Sequence, residues 1–119
     1  MAITKLAGQG RQMGYTTCTI ADEGKTSDAA DIEGYGITGL LLPTLDSTNL
    51  TFTVSNLLAG TYYTVKDMDG STFTITAGTG AFAVGSDDLS PLFGYRFIKI
   101  VSSATQSTSA VIFTFTLKG

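Results

Sequence analysis

Two aspartates one residue apart, followed by a glycine, come nearer to a metal-binding loop than any other stretch of this sequence. They are Asp67, Asp69 and Gly70 in the segment VKDMDGSTFTI. An EF-hand calcium loop needs further oxygen ligands and a glutamate at its twelfth position. Counted from Asp67, that position is Gly78. Because Asp-Gly between two alternating runs is a strong signal for a type I′ hairpin turn, we predict a hairpin. A surface ion held by the two aspartates is the alternative.

The other residues with catalytic potential lack the neighbours that catalysis requires. The sequence contains no histidine, which removes the commonest general base and metal ligand. Cys18 lies in an alternating strand-like run and is expected to be a small buried hydrophobe. Asp87 and Asp88 are adjacent, so neither a strand nor a helical turn directs them at one shared proton. We predict no catalytic residue, metal site or cofactor, no small-molecule substrate, and a protein that is not an enzyme.

Two aromatic pairs offer a weaker possibility, which is the stacking of sugar rings. The pairs are Tyr62 with Tyr63 and Phe93 with Tyr95. We predict that one member of each pair faces the core, which leaves half of an aromatic platform. A carbohydrate-binding module therefore remains an alternative function.

Basic residues supply the candidate interaction sites. Residues 1–14 contain Lys5 and Arg11 and no acid, so we predict an extended N-terminal arm that is either a frayed terminus or a segment lying across a neighbouring subunit. Arg96 and Lys99 interrupt an otherwise apolar strand, and their odd spacing predicts opposite faces. The candidate interaction residues are Lys5, Gln9, Arg11 and Gln12 in the arm, with Arg96 and Lys99 in the strand.

Composition bounds the possible partners. The chain has 119 residues, the length of a single domain, and carries a formal net charge of −3 with no run of basic residues, which argues against a nucleic-acid partner. It contains 20 threonines and 10 serines but only 14% charged residues, so copies of the chain can approach one another at little electrostatic cost. No apolar stretch is long enough for a membrane helix. The single cysteine and the lack of a signal peptide indicate synthesis in a reducing cytoplasm.

Strand signals recur from residue 15 to the end of the chain. Apolar residues alternate with threonine or serine, notably in NLTFTVS and AVIFTFTLK, and turn residues separate the runs. The one helical candidate is SDDLSPL, where Ser86 is predicted to cap a single turn. We predict an all-β protein in which residues 15–119 form a single antiparallel β-sandwich of jelly-roll type.

The order of these segments resembles a family of small β-sandwich virion proteins from tailed phages and prophages. The resemblance covers roughly residues 34 to 118. It rests on the succession of GYGITGLLLPTL, LTFTVS, the hairpin YYTVKDMDGSTFTI, the acidic proline-bearing loop in DDLSPLFGYRFIKIVSSATQS, and AVIFTFTLK.

The resemblance implies a structural role in a virion, and within that class we expect a capsid decoration, or cement, protein. Such a protein would bind the outer capsid shell as a homotrimer, contact the major capsid protein and stabilise contacts between capsid subunits. It would be made in the host cytoplasm and end on the capsid surface. A tail, baseplate or fibre component is the alternative within the class.

Overall fold

The described residues of the chain form two antiparallel β-sheets and one short 3₁₀ helix. The structure, a computed structural model, describes residues 3–6 and 13–119. The strands are β1 Thr4–Leu6, β2 Met13–Ile20, β3 Gly24–Thr26, β4 Ala30–Asp31, β5 Gly36–Leu41, β6 Thr44–Ser55, β7 Tyr63–Thr64, β8 Ile75–Gly80, β9 Ala83–Gly85, β10 Phe97–Gln106 and β11 Val111–Lys118. The prediction of an all-β, antiparallel protein is confirmed.

The first sheet, sheet A, has the order β1-β2-β11-β5-β9. Its centre is β11, which pairs along its whole length with β2, from Val111 opposite Ile20 to Lys118 opposite Met13. On its other side β11 pairs with β5, with a register shift between Thr116 and Leu117.

The second sheet, sheet B, is built around the long strands β6 and β10. These strands pair in register from Phe97 opposite Ser55 to Ser102 opposite Leu50. The short strands β3 and β4 pair with the far side of β10, and β7 and β8 pair with the far side of β6. Sheet B thus has two long central strands and fragmented edges.

One hydrophobic core joins the two sheets, and strand alternation explains its membership. In β6 the buried residues Leu50, Phe52 and Val54 alternate with threonines, and in β11 Phe113 and Phe115 do the same. Because successive strand residues point to opposite faces, each long strand sends one apolar row inwards. These rows contribute to a single buried cluster.

A ribbon of two chain segments crosses between the sheets at one corner. The backbone N–H of Leu42 donates to the Phe82 carbonyl, and the N–H of Ala81 donates to the Pro43 carbonyl. Gly80 has φ +73°, and a Cβ there would lie 2.1 Å from the Pro43 carbonyl oxygen. Only glycine therefore fits at position 80. It has no Cβ to clash with the Pro43 carbonyl, and it adopts a left-handed backbone conformation without a steric cost.

The hairpin at Asp69-Gly70 is confirmed, but its turn type differs from the prediction. The N–H of Gly70 donates to the Asp67 carbonyl, and the N–H of Asp67 donates to the Ser71 carbonyl. Gly70 has φ +88°, whereas Asp69 does not have a positive φ. A type I′ turn needs positive φ at both central residues, so the turn is instead a type I-like turn followed by a left-handed glycine.

One further expectation needs correction. The 3₁₀ helix spans Ser86–Leu92, but its N-cap is Gly85 and no side chain caps it, so Ser86 is not the cap. The run TYYTVKD contributes only the two-residue strand β7. Sheet A also begins before Tyr15, because β1 pairs with β2 from Thr4 opposite Tyr15 to Leu6 opposite Met13.

Candidate functional site

The residues predicted for interaction have different places in the structure. Lys5 lies in β1, opposite Gly14 of β2. Gln9, Arg11 and Gln12 fall outside the described residues. Arg96 lies in the bend directly before β10, and Lys99 lies within β10. Of the predicted interaction residues, Arg96 and Lys99 are the two whose side-chain contacts the structure describes.

Arg96 is held by an ion pair and by an aromatic ring. Its Nε donates to Asp31 Oδ1 at 3.0 Å and its Nη2 donates to Asp31 Oδ2 at 3.2 Å, a two-point geometry that fixes the guanidinium plane. The guanidinium carbon lies 5.0 Å from the centroid of the Phe97 ring. The side chain of Arg96 is still 53% exposed, so its outer edge remains open to a partner.

The same contacts set the ionisation of Asp31. Burial alone would raise the pKa of this carboxyl, but hydrogen bonds from Arg96 and from the backbone N–H of Glu33, with the charge of Arg96, outweigh it. The pKa of Asp31 is therefore lowered from its ordinary value, and Asp31 and Arg96 form a charged pair at neutral pH.

Lys99 reaches the same outer face, contrary to the predicted opposite placement. Its Nζ lies 4.3 Å from the centroid of the Tyr62 ring, a cation–π contact. Phe97 and Lys99 are two residues apart on β10 and share its outward side, while Ile98 lies in the core. Because Arg96 precedes the strand, alternation does not govern it, and its guanidinium folds over Phe97. We call the surface formed by Asp31, Tyr62, Arg96, Phe97 and Lys99 the charged face.

The outer face of sheet A has the opposite character. Inter-strand pairing arranges its outward residues in rows. Two full rows are Thr17, Thr114, Leu41 and Ala83, and Tyr15, Thr116, Gly39 and Gly85; a shorter row is Thr19 and Ile112. Thr38 Oγ1 donates to Thr116 Oγ1 at 2.9 Å. The described strands β2, β5, β9 and β11 contain a single charged residue, Lys118.

We call these outward residues of sheet A the threonine face. Most of its residues are threonine, glycine or alanine. The larger side chains include Tyr15, Leu41 and Ile112, and Lys118 at one end carries a charge. Sequence reasoning did not predict this surface, although part of the signal was present. Thr17 and Thr19 flank Cys18, and Thr114 and Thr116 flank Phe115. Only the pairing of β2 with β11 and of β11 with β5 brings the separate runs side by side.

Residues with catalytic or metal-binding potential are separate from both faces. Cys18 is fully buried, as predicted, and burial raises the pKa of its thiol to about 12, which disfavours the reactive thiolate. Asp67 Oδ1 and Asp69 Oδ1 both accept a hydrogen bond from the backbone N–H of Ser71. A hydrogen bond shared between these two carboxyls raises the pKa of Asp67 and lowers that of Asp69. The described residues contain no group of three or more potential metal ligands.

Neither aromatic pair places one of its members in the core. None of the four residues belongs to the hydrophobic core, because they lie in the two-residue strand β7, beside it, or in the loop before β10. Tyr63 and Tyr95, one from each pair, line a single cleft of about 340 Å³. The prediction that one member of each pair faces the core is therefore wrong.

Comparisons with models of protein families, with curated proteins and with solved structures found no match to this chain. Within the described residues no helix is both long and apolar enough to cross a membrane.

Proposed function

We propose that this chain is a structural protein of a phage virion, and specifically a capsid decoration protein. In this proposal it binds the outer shell as a homotrimer, contacts the major capsid protein and stabilises the contacts between capsid subunits. Its sheets form a sandwich of jelly-roll type, and the arm of residues 1–14, which includes β1, contacts a neighbouring subunit from the edge of sheet A. The phage setting rests on the order of motifs between residues 34 and 118.

The threonine face is the observation that carries a role in protein assembly. Burying a charged side chain in an interface is costly unless that charge is paired. A face of threonine, glycine and alanine with a few apolar side chains avoids this cost. It is also flat, because most of its side chains are short. Such a face can contact another copy of the chain, or the shell, without requiring a matching charge on the partner.

The charged face supports a different contact. Arg96 and Lys99 are both anchored on aromatic rings, so little side-chain freedom remains to be lost on binding. The exposed edge of the Arg96 guanidinium is available for a carboxylate or backbone carbonyl of the shell. Many such modest contacts, repeated over a symmetric shell, become strong through multivalency.

A charge placed in the centre of the threonine face tests the proposal. Thr114 is the central residue of its row, between Thr17 and Leu41. We expect Thr114→Lys to weaken trimer formation at least about tenfold, because three lysines would be brought into the assembly interface. Light scattering after size-exclusion chromatography measures the trimer, and co-sedimentation with undecorated shells measures binding.

The matched control is Thr51→Lys, the same substitution on the outward side of β6 in sheet B. We expect this variant to trimerise as the natural chain does. A monomeric natural chain, or equal assembly of both variants, would contradict the proposal. We expect electron microscopy of particles to show the protein on the head. Density confined to the tail would assign it to a tail, baseplate or fibre.

A further inference from the structure

The cleft lined by Tyr63 and Tyr95 has the composition of a small ligand site. It lies where the end of β6 and strand β7 meet the loop before β10. Tyr63 is 68% exposed and Tyr95 is 40% exposed, so both rings are accessible. Val54, which is buried, and Pro91 also line the cleft. Its volume of about 340 Å³ lies at the lower end of the range for ligand pockets.

Three of the polar residues that line the cleft have exposed side chains, and each is available for a ligand. Asn56, Thr64 and Lys66 are exposed. Among the described residues, none of these three side chains has a hydrogen-bond or ion-pair partner. The Asn56 amide and the Thr64 hydroxyl both donate and accept, whereas the Lys66 ammonium only donates. The cleft thus combines aromatic surface with side chains that can donate hydrogen bonds and side chains that can accept them.

This combination matches a sugar ring better than the other small ligands that such a cleft could hold. A pyranose presents C–H groups on its faces, which pack on aromatic rings, and hydroxyls on its rim, which both donate and accept. A proline-rich peptide would use the tyrosines but offers only carbonyl acceptors to Asn56 and Thr64. An acidic ligand would meet Lys66 but also the carboxylate of Asp67 beside it and a net charge of −3.

We propose that this cleft is a binding site for one or two neutral pyranose units of a glycan, with Tyr63 and Tyr95 as the packing surfaces and Asn56, Thr64 and Lys66 as the hydroxyl ligands. The site belongs to sheet B and to the loop before β10. It shares no residue with the threonine face, so a copy assembled through the threonine face keeps those residues free. The inference does not depend on the proposed function.

A titration of the full chain followed by ¹H–¹⁵N NMR tests the site. The probes are the methyl glycosides of glucose, galactose and mannose, and N-acetylglucosamine, each added at concentrations suited to dissociation constants in the millimolar range. We expect at least one probe to cause saturable shifts at the amides of residues 54–56, 63–66 and 95. Decaproline serves as the competing peptide probe.

Variants of the cleft residues distinguish specific sugar binding in the cleft from nonspecific binding elsewhere on the protein. We expect Tyr63→Ala and Tyr95→Ala each to weaken binding about fivefold or more, and Tyr63→Phe to retain it. Phe93→Ala removes an equally exposed ring (46%) that does not line this cleft, and it is expected to leave binding unchanged. The amide spectrum of each variant reports whether it is folded.

Three results would overturn the proposal. One is the absence of saturable shifts with all four sugars, and another is shifts that map away from the cleft. The third is unchanged binding in both alanine variants at Tyr63 and Tyr95. If decaproline binds while the sugars do not, the cleft is a peptide groove and the proposal is wrong. Loss of trimers in the Thr114→Lys test has no bearing on any of these results.

Discussion

The two sheets contribute to the same apolar core, but they differ in the hydrogen bonding of their buried polar side chains and in the charge of their outer faces. Sheet B buries Thr48, Ser102 and Gln106, and every one of them is hydrogen-bonded. Sheet A buries Thr16, whose Oγ1 has no hydrogen-bond partner in the described part of the chain. Outside, sheet A presents uncharged threonines, whereas sheet B presents Arg96 paired with Asp31 and Lys99 on Tyr62.

The buried polar groups of sheet B have a structural task that Thr16 lacks. Beyond Ser102 the pairing of β10 with β6 ends, and Thr48 Oγ1 accepts hydrogen bonds from the N–H groups of Ser103 and Ala104. Gln106 bonds both the N–H and the carbonyl of Asp46. Side chains therefore replace the backbone ladder where the strands diverge, as buried backbone groups require. The comparison shows that a buried hydroxyl stabilises the fold when it has hydrogen-bond partners, and that burial alone does not make it stabilising.

The largest expected effect is the loss of the Thr48 hydroxyl. Thr48→Val keeps the shape of the side chain but leaves the N–H of Ser103 without its acceptor and the N–H of Ala104 with Ser102 Oγ alone. We expect the free energy of unfolding to fall by about 2 kcal/mol, measured by urea denaturation. Thr51→Val, on the outward side of the same strand, is the control and is expected to change stability by less than about 0.5 kcal/mol. Equal effects at the two positions would contradict this role for Thr48.

The same substitution in sheet A is expected to have the opposite sign. Thr16→Val removes a buried hydroxyl that has no partner among the described residues and adds a methyl group within the core. We expect a gain of about 1 kcal/mol in the free energy of unfolding, because the desolvation cost of the hydroxyl disappears. Urea denaturation beside the Thr48→Val variant measures the contrast. A loss of stability would contradict this prediction, because it would mean that the Thr16 hydroxyl makes a stabilising hydrogen bond.

The smallest expected effect concerns the charged face and depends on pH. The folded-state pKa of Asp31 is lowered, so the pair with Arg96 stabilises the fold above the unfolded pKa of about 4 and ceases to do so as pH falls through the folded value. We expect Asp31→Asn to cost at most about 1 kcal/mol at pH 7, because Arg96 is half exposed. As the pH falls below about 4, the variant should lose less stability than the natural chain.

Unfolding curves at several pH values measure this difference. The acid dependence should be reduced and not abolished, because hydrogen bonds from Ser107 and Thr108 also lower the pKa of Asp46. Parallel loss of stability in the two proteins would mean that Asp31 does not contribute through its ionisation.

Local pattern predicted the strands well where they are long and alternate strictly. The runs that became β2, β10 and β11 were recognisable because apolar and polar residues alternate through them, and Cys18 was correctly expected to be buried. The short strands β3, β4 and β7 were not recognisable, since two or three residues cannot show a period. Their strand character comes from pairing with β10 and β6. Arg96 was misjudged because alternation was applied to a residue outside a regular strand. The aromatic pairs were misjudged because none of their residues lies in a long strand.

The candidate surfaces were predicted only in part. Arg96 and Lys99 were chosen because charges interrupt an apolar run, and that signal is local. The threonine face and the tyrosine cleft were missed, since each gathers residues that are far apart in the chain. Tyr63 and Tyr95 converge only because β7 and the loop before β10 lie on the same side of sheet B. The phage resemblance, the trimer and the arm stay predictions.

The sequence by itself determined that the chain forms strands, which side chains of the long strands are buried, and where the Asp69-Gly70 hairpin turns. These properties follow from alternation and from glycine geometry, both of which act over a few residues. Tertiary structure decided the order of the strands, the partners of Thr48 and Thr16, and the composition of each outer face. Those properties depend on the register between strands up to a hundred residues apart, which no local pattern specifies.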